Sequence, residues 1–335
     1  MLTSDTNCLV TGGAGFIGSH VAERLVGMGC RVRVVDNLST GDRANIAHLD
    51  GLIEFVIGDL CDPEVCRRVA TGMDVVFHVA ALPSVPRSLA DPWGSHDANV
   101  NATVRLLQAC QMAGVRRVVY SSSSSVYGDT PELPKLESAE PLPRSPYAAS
   151  KLASEQYVLA YARADLVEGV ALRYFNVFGP RQSPHSAYAA VVPLFFQGAL
   201  DGRRVTVFGD GSQTRDFTYV ENVVMANVLA AQGSASVVSG QVVNVGAGER
   251  TSLRELLASI RRITGSEIPA DELPPRAGDV RDSLAGLDRA ARLLDYGPLV
   301  RLEDGLRRTW EWMRDGAAAA QRAGGHAPRG VEAVR

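Results

Sequence analysis

Lysine is almost missing from this chain. Of 34 basic residues only Lys135 and Lys151 are lysine; the rest are arginine, and alanine is abundant, a pattern of GC-rich coding. Cysteine is also scarce. The five cysteines, Cys8, Cys30, Cys61, Cys66 and Cys110, all fall in the first third. An odd number without zinc spacing argues against a disulfide framework or a zinc centre, and reads as reduced, mostly buried thiols of a cytosolic protein. The six histidines are scattered, so no metal site is expected. No apolar run reaches the length that spans a bilayer. The opening MLTSDTNCLVTGG lacks the basic segment, long apolar core and cleavage site of a signal peptide, so a cytoplasmic location is expected. Nor is there an excess of either charge: the net charge is −3, which argues against a nucleic-acid-binding or polybasic membrane surface.

What is present is an ordinary globular composition, 46% hydrophobic over 335 residues. That length is long for one core and suggests two lobes. Short apolar runs at 7–11, 31–35, 53–57, 74–79, 116–121 and 168–173 read as strands buried on both faces. Helical patterns alternate with them, including 17–28, 97–113 and 147–164. Strand–helix alternation predicts an α/β fold, a Rossmann-type doubly wound parallel sheet. After about residue 177 prolines and glycines become frequent. Strands shorten (204–208, 241–245) and helices follow at 187–200, 219–232, 252–263 and 303–314. The expected division is a nucleotide-binding unit over 1–176, joined by a strand near 241–246, and a smaller substrate-binding domain over 177–314. From Asp315 the low-complexity tail, 315–335, reads as disordered.

TGGAGFIGSH, residues 11–20, follows the first strand and opens a helix. Gly12 allows a tight turn, Gly15 lets the backbone approach a pyrophosphate, and Gly18 lets the helix pack close to the sheet. Asp36 ends the second strand, 24 residues after Gly12. A carboxylate there accepts hydrogen bonds from the adenosine ribose and repels a 2′-phosphate, which favours NAD over NADP. Asp59 and Leu60, after the third strand, lie where the adenine would rest.

SPYAASK sets Tyr147 and Lys151 four residues apart, one turn along one helix face. With only two lysines in the chain, an accidental pairing is improbable. A phenol is a poor base at neutral pH; a nearby ammonium and a positive nicotinamide ring should lower its pKa. The five serines Ser121–Ser125 could be a linker. They instead stand at the carboxyl end of a buried strand, where open α/β sheets bind ligands, and so read as active-site wall. Spacing alone does not say which serine faces the substrate.

With these pieces in place, the chain resembles the extended short-chain dehydrogenase/reductases, in the NAD-dependent nucleotide-sugar epimerase/dehydratase family. The resemblance covers roughly 7–312 and rests on TGGAGFIGSH, VVDNLSTG, GDL, FHVAAL, SSSSSVYG, SPYAASK, RYFNVFGPRQ, FGDGSQTRDFTYV and PRAGDVRDS, in that order. It is most similar to the UDP-sugar 4-epimerases, through AALPSVPRS and AYAAVVP. The resemblance implies Ser123 as catalytic serine, Tyr147 as base and Lys151 as its partner. It implies cofactor contacts from Phe16, Ile17, Asn37, Ser39, Gly41, Ala80, Ala81 and Tyr174 beside the groups already named. It assigns the UDP-sugar to Ser84, Arg87, Ser124, Asn176, Arg181, Ala190, Val191, Thr206, Phe208, Arg215 and Arg276. It also implies a homodimer joined through the helices at 97–113 and 147–164. NAD would stay bound, because each cycle regenerates it.

Two departures narrow the chemistry. Family dehydratases carry Asp-Glu after the catalytic serine or threonine; here Ser124 and Ser125 stand there, which argues against dehydration. Ser283 stands where many relatives have a tyrosine, and Ala190 replaces a common asparagine, leaving room at the sugar's C2 or C6. Arg181 and His185 either face a C6 carboxylate or belong to the loop surface. UDP-glucose, UDP-GlcNAc and UDP-glucuronate all remain open. The competing expectations are a 4,6-dehydratase, a decarboxylase, a 4-keto reductase, or a non-catalytic NAD-binding sensor or scaffold.

Overall fold

The structure is a computed structural model and describes residues 2–185, 189–274 and 280–322. Six strands come first: β1 (Asn7–Thr11), β2 (Arg31–Asp36), β3 (Ile53–Ile57), β4 (Val75–His78), β5 (Arg117–Ser123) and β6 (Glu168–Tyr174). Gln241–Val245 returns from far along the chain and pairs with β6. The sheet runs β3-β2-β1-β4-β5-β6 and then Gln241–Val245, with every pairing parallel.

Side chains alternate across the strands. Cys8, Val10, Val34 and Phe77 face one core, while Leu9, Val35, Val76 and Val118 face the other. Both faces are therefore covered by helices, and the strand ends are left to carry chemistry. Helix α1 (Phe16–Gly27) follows β1 directly. The helix Pro146–Arg163 lies against β5 and β6 and starts at Ser145, whose side chain accepts from the Ala148 N–H.

Beyond the sheet, short strand pairs join Val177–Phe178 to Thr218–Tyr219, Thr214–Arg215 to Thr251–Ser252, and Val205–Phe208 to Ala270–Leu273. Helices Val191–Asp201, Leu253–Thr264 and Leu302–Arg322 pack around them, with Phe196 stacked on Trp310.

Two expectations need correction. The tail does not begin at Asp315: the last helix runs through Arg322, because the alanines at 317–320 favour helix. Residues 323–335 lie outside the described residues. The helical segment expected at 97–113 begins earlier, at Pro92, and passes through a π-helical turn at Asp97–Asn101. Among the described residues no helix is long and apolar enough to cross a membrane, and no His, Cys, Asp and Glu cluster could hold a metal ion.

Candidate active site

Two adjoining cavities open at the carboxyl ends of the strands, and Tyr147, Ser122, Tyr174 and Ile17 line both. The first measures about 450 Å³. Its floor is the glycine loop. Gly12 has φ +65°, and a Cβ there would come within 2.7 Å of the Ala80 Cα. At Gly18 a Cβ would meet the Gly12 carbonyl at 2.2 Å. Only glycine permits this approach. No side chain caps the first turn of α1, so its N–H groups suit an anion.

Asp36 is nearly buried and accepts from the Ala14 N–H at 3.0 Å and the Leu38 N–H at 2.8 Å. Gly41 packs against the same carboxylate. Asn37 donates to Asp59 at 2.9 Å. Burial alone would raise the Asp59 carboxyl; the Cys61 N–H and the Asn37 amide hold it below its ordinary value. Gly15, Phe16, Asn37, Ser39, Leu60, Ala80, Ala81, Ser84, Arg87 and Ala190 also line this cavity, together with Lys151. Ser84 has φ +114° and caps the Val85–Ala90 helix by accepting from the Arg87 N–H. Such a conformation in a non-glycine residue marks a constrained turn.

The second cavity, about 350 Å³, is lined by Ser122–Ser125, Lys135, Arg144, Asn176, Arg215 and Ser283 as well as Tyr147. The Ser123 Oγ accepts from the Ser125 N–H at 3.2 Å and the Ser125 hydroxyl at 2.9 Å. Its own proton takes no part in these bonds and is available to the cavity. Ser121 shares a hydrogen bond with the Tyr174 hydroxyl at 2.9 Å. Ser122 donates to Glu155 at 2.6 Å. The run is thus divided: Ser121 and Ser122 line the first cavity, their hydroxyls held by Tyr174 and Glu155, while Ser123–Ser125 line the second alone.

Lys151 is buried, with its Nζ 4.5 Å from the Tyr120 ring centroid. Burial pushes it down to about 7, and the Glu155 carboxylate pulls the other way. Burial also raises the Tyr147 phenol, with the neighbouring Ser123 hydroxyl pulling it down. The depressed phenol expected from the sequence is therefore not a property of the protein groups alone, because burial opposes the charged form.

Several residues escaped the sequence reading. His78, at the end of β4, is buried between Thr11 (2.8 Å) and Thr103 (2.9 Å). Thr103 donates to the Asn99 carbonyl, so its oxygen accepts from His78 Nε2–H, and Nδ1 accepts from Thr11. Burial and Lys151 hold this imidazole neutral, down to about 3. Asn99, in the π turn, donates to Ser150 at 2.9 Å and accepts from the Leu82 N–H at 2.7 Å. Glu155 forms a fully buried fork with Arg173 at 2.7 and 3.0 Å. It stands at the next turn after Tyr147 and Lys151, a signal the sequence did contain.

Other expected contacts lie elsewhere. Arg181 turns away, with φ +66° and its guanidinium on Glu23 at 2.6 Å, and it lines neither cavity. This corrects its assignment to the sugar site. Val191, Thr206 and Phe208 line neither cavity; Thr206 is exposed in its strand pair with 270–273. Arg276 lies outside the described residues.

A parallel sheet with a glycine turn, a carboxylate closing the second strand and a Tyr–Lys pair beside a serine defines a dinucleotide-dependent α/β enzyme. The chain belongs to the NAD dependent epimerase/dehydratase family, whose pattern matches residues 8–246. It is 42% identical over 311 residues to the UDP-glucose 4-epimerase of Mycolicibacterium smegmatis, covering 92% of this chain and 98% of the relative. It is 34% identical over 319 residues to a UDP-N-acetyl-alpha-D-glucosaminuronate decarboxylase of Bacillus cytotoxicus, with coverage of 92% and 98%. The crystal structure of the Thermus thermophilus UDP-glucose 4-epimerase in complex with NAD matches with a TM-score of 0.84 at 37% identity, covering 92% of this chain and 99% of that one. The cofactor is NAD. The glycine cradle and Asp36 fit it: the first admits the pyrophosphate and the second the ribose hydroxyls.

Proposed function

We propose that the chain is a UDP-hexose 4-epimerase. The observation that carries the reading is the position of Tyr147, which lines both cavities at their junction, with the Ser123 hydroxyl beside it. A dinucleotide in the first cavity and a sugar in the second would meet there. Tyr147 removes the proton from the sugar O4, and Ser123 hydrogen-bonds that oxygen with its remaining proton. Held by the glycine turn and Asp36, NAD would supply the hydride acceptor and donor for C4. Lys151 and the positive ring together offset the burial that raises the Tyr147 phenol. Arg215 and Asn176 hold the diphosphate end while the small Ser283 leaves the 4-keto sugar space to turn over.

Relatives include a decarboxylase. No aspartate or glutamate lines the second cavity among the described residues, which favours a path without acid-assisted elimination. Proton NMR of the purified protein, with no NAD added, decides the matter on UDP-glucose, UDP-N-acetylglucosamine and UDP-glucuronate. The expected result is a new anomeric signal from a 4-epimer of unchanged mass. A product lighter by carbon dioxide or water would overturn the epimerase reading. We also read the protein as a homodimer, supported by exposed Met112 and Tyr157 on two helices that contact each other.

A further inference from the structure

The chain's other lysine is Lys135. Lys135 is 3% exposed, yet its side chain lines the cavity that holds Ser123 and Tyr147. Its backbone is fixed on three sides: its N–H donates to the Leu284 carbonyl at 2.8 Å, and its carbonyl accepts from the Gly286 N–H at 2.9 Å and the Asn244 amide at 2.8 Å. The ammonium donates to the carbonyl and the hydroxyl of Thr130. Two neutral oxygens thus take two of three donors.

No carboxylate lies within ion-pair distance of this ammonium among the described residues. Two of the three nearest acids are otherwise engaged. Asp129 accepts from Arg144 and from the Arg281 N–H, each at 2.9 Å. Asp282 accepts from the Thr214 N–H and hydroxyl, and Glu132 is exposed. A buried charge without a counter-ion is costly, and proteins normally pair it. Three cations, Lys135, Arg144 and Arg215, line the cavity without a single acid among the described residues. Arg144 is matched by Asp129, and a diphosphate would occupy Arg215. Lys135 has no anion in ion-pair contact among the described residues; Glu132, Asp129 and Asp282 act on it only from farther away. Ser283, beside Leu284, lines the same cavity and accepts from the Asn176 amide at 3.1 Å.

We propose that Lys135 is the counter-ion of a carboxylate on the substrate's hexose, so that the enzyme's preferred substrate is a UDP-hexuronate. The inference rests on the UDP-hexose reading above. It moves the uronate-binding role to a cation the sequence did not single out. Arg181 is held by Glu23, and the exposed His185 lines neither cavity.

The test compares kcat/KM for UDP-glucuronate and UDP-glucose on the NAD-loaded enzyme, its Lys135→Met variant and its Lys135→Arg variant. The wild type should favour UDP-glucuronate at least tenfold. Lys135→Met should lower that ratio at least tenfold, and Lys135→Arg should restore most of it. A wild-type preference for UDP-glucose, or a ratio that Lys135→Met leaves unchanged, overturns the assignment. If Lys135→Met fails to fold, calorimetric titration of the wild type with each nucleotide decides instead. Tenfold tighter UDP-glucuronate supports the counter-ion, and equal affinities overturn it. Turnover of UDP-glucose with a UDP-glucuronate to UDP-glucose ratio that Lys135→Met leaves unchanged sinks this inference alone. No turnover of any UDP-hexose sinks the 4-epimerase reading with it.

Discussion

At the scale of single residues, the site places its acid–base groups against their ordinary tendencies. Burial disfavours both the Tyr147 phenolate and the Lys151 ammonium. The pair is therefore poised to respond to a charge brought from outside, and the dinucleotide ring carries one. Tyr147→Phe should leave NAD bound, since the glycine cradle and Asp36 are untouched. It should cut kcat by about 100-fold or more, as the loss of a positioned base does. Cofactor content after denaturation and single-turnover rates check both parts; turnover within tenfold of wild type would remove Tyr147 from its role. Tyr147 and Lys151 were legible because a four-residue spacing on a helix sets two side chains on one face whatever the fold around them. His78 was not legible. Its meaning comes from Thr11 and Thr103, which are 67 and 25 residues away. Arg181 was left open between a C6 carboxylate and the loop surface, because proximity in sequence to a substrate loop says nothing of a backbone turned to φ +66° and a partner on α1.

At the scale of the element, the helix Pro146–Arg163 does more than carry the Tyr–Lys pair. Its next turn on that face brings Glu155, which ties the helix to β5 through Ser122 and to β6 through Arg173. Among the described residues the groups that act with Lys151 are Glu155 on its own helix, Tyr120 from β5 and His78 from β4. Only Glu155 is a fixed negative charge, and it raises the Lys151 pKa. Removing that charge lowers the pKa further, so the ammonium is lost at lower pH. Glu155→Gln should shift the alkaline limb of the kcat profile down by roughly one pH unit. Breaking a buried ion pair costs about 3–5 kcal/mol. The double variant Glu155→Gln/Arg173→Met, which buries no lone charge, therefore serves as the folding control. An alkaline limb that does not move in either variant would assign Glu155 a packing role only. The serine run shows the same division between what spacing can and does not reveal. Its place at a strand end was readable, whereas the hydrogen bonds of Ser121 and Ser122 depend on Tyr174 and Glu155, reached only through the fold.

At the scale of the whole molecule, the parallel sheet was readable from seven apolar runs, and their observed limits differ by only a residue or two. The cavities were not readable, because each is walled by segments far apart in sequence. Gly12 meets Ala80, and Lys135 is fastened to the backbone at Leu284 and Gly286. Assembly belongs to this scale as well. Met112 and Tyr157 are 72% and 45% exposed on the helices Ala102–Ala113 and Pro146–Arg163. Light scattering should report twice the 35.7 kDa chain mass. Substitution of both residues by lysine should shift the population toward monomer. A monomer in the wild type at micromolar concentration would refute the dimer.

The outermost strand of the sheet, Gln241–Val245, has a bearing on synthesis. β6 is complete when residue 174 leaves the ribosome, but its second edge stays open until the chain reaches 245. That interval spans roughly 70 residues, or several seconds at about 5–20 residues per second. Throughout it, the nascent nucleotide-binding half presents an unpaired edge of the kind that recruits other strands. Arg117 meets the same delay: its guanidinium is sealed by the carbonyls of Ala230, Ala231 and Gly233, made just before the closing strand. The half of the protein that is translated first is thus finished by the half translated last, and a ribosome stalled between them holds a sheet that only the missing segment can close.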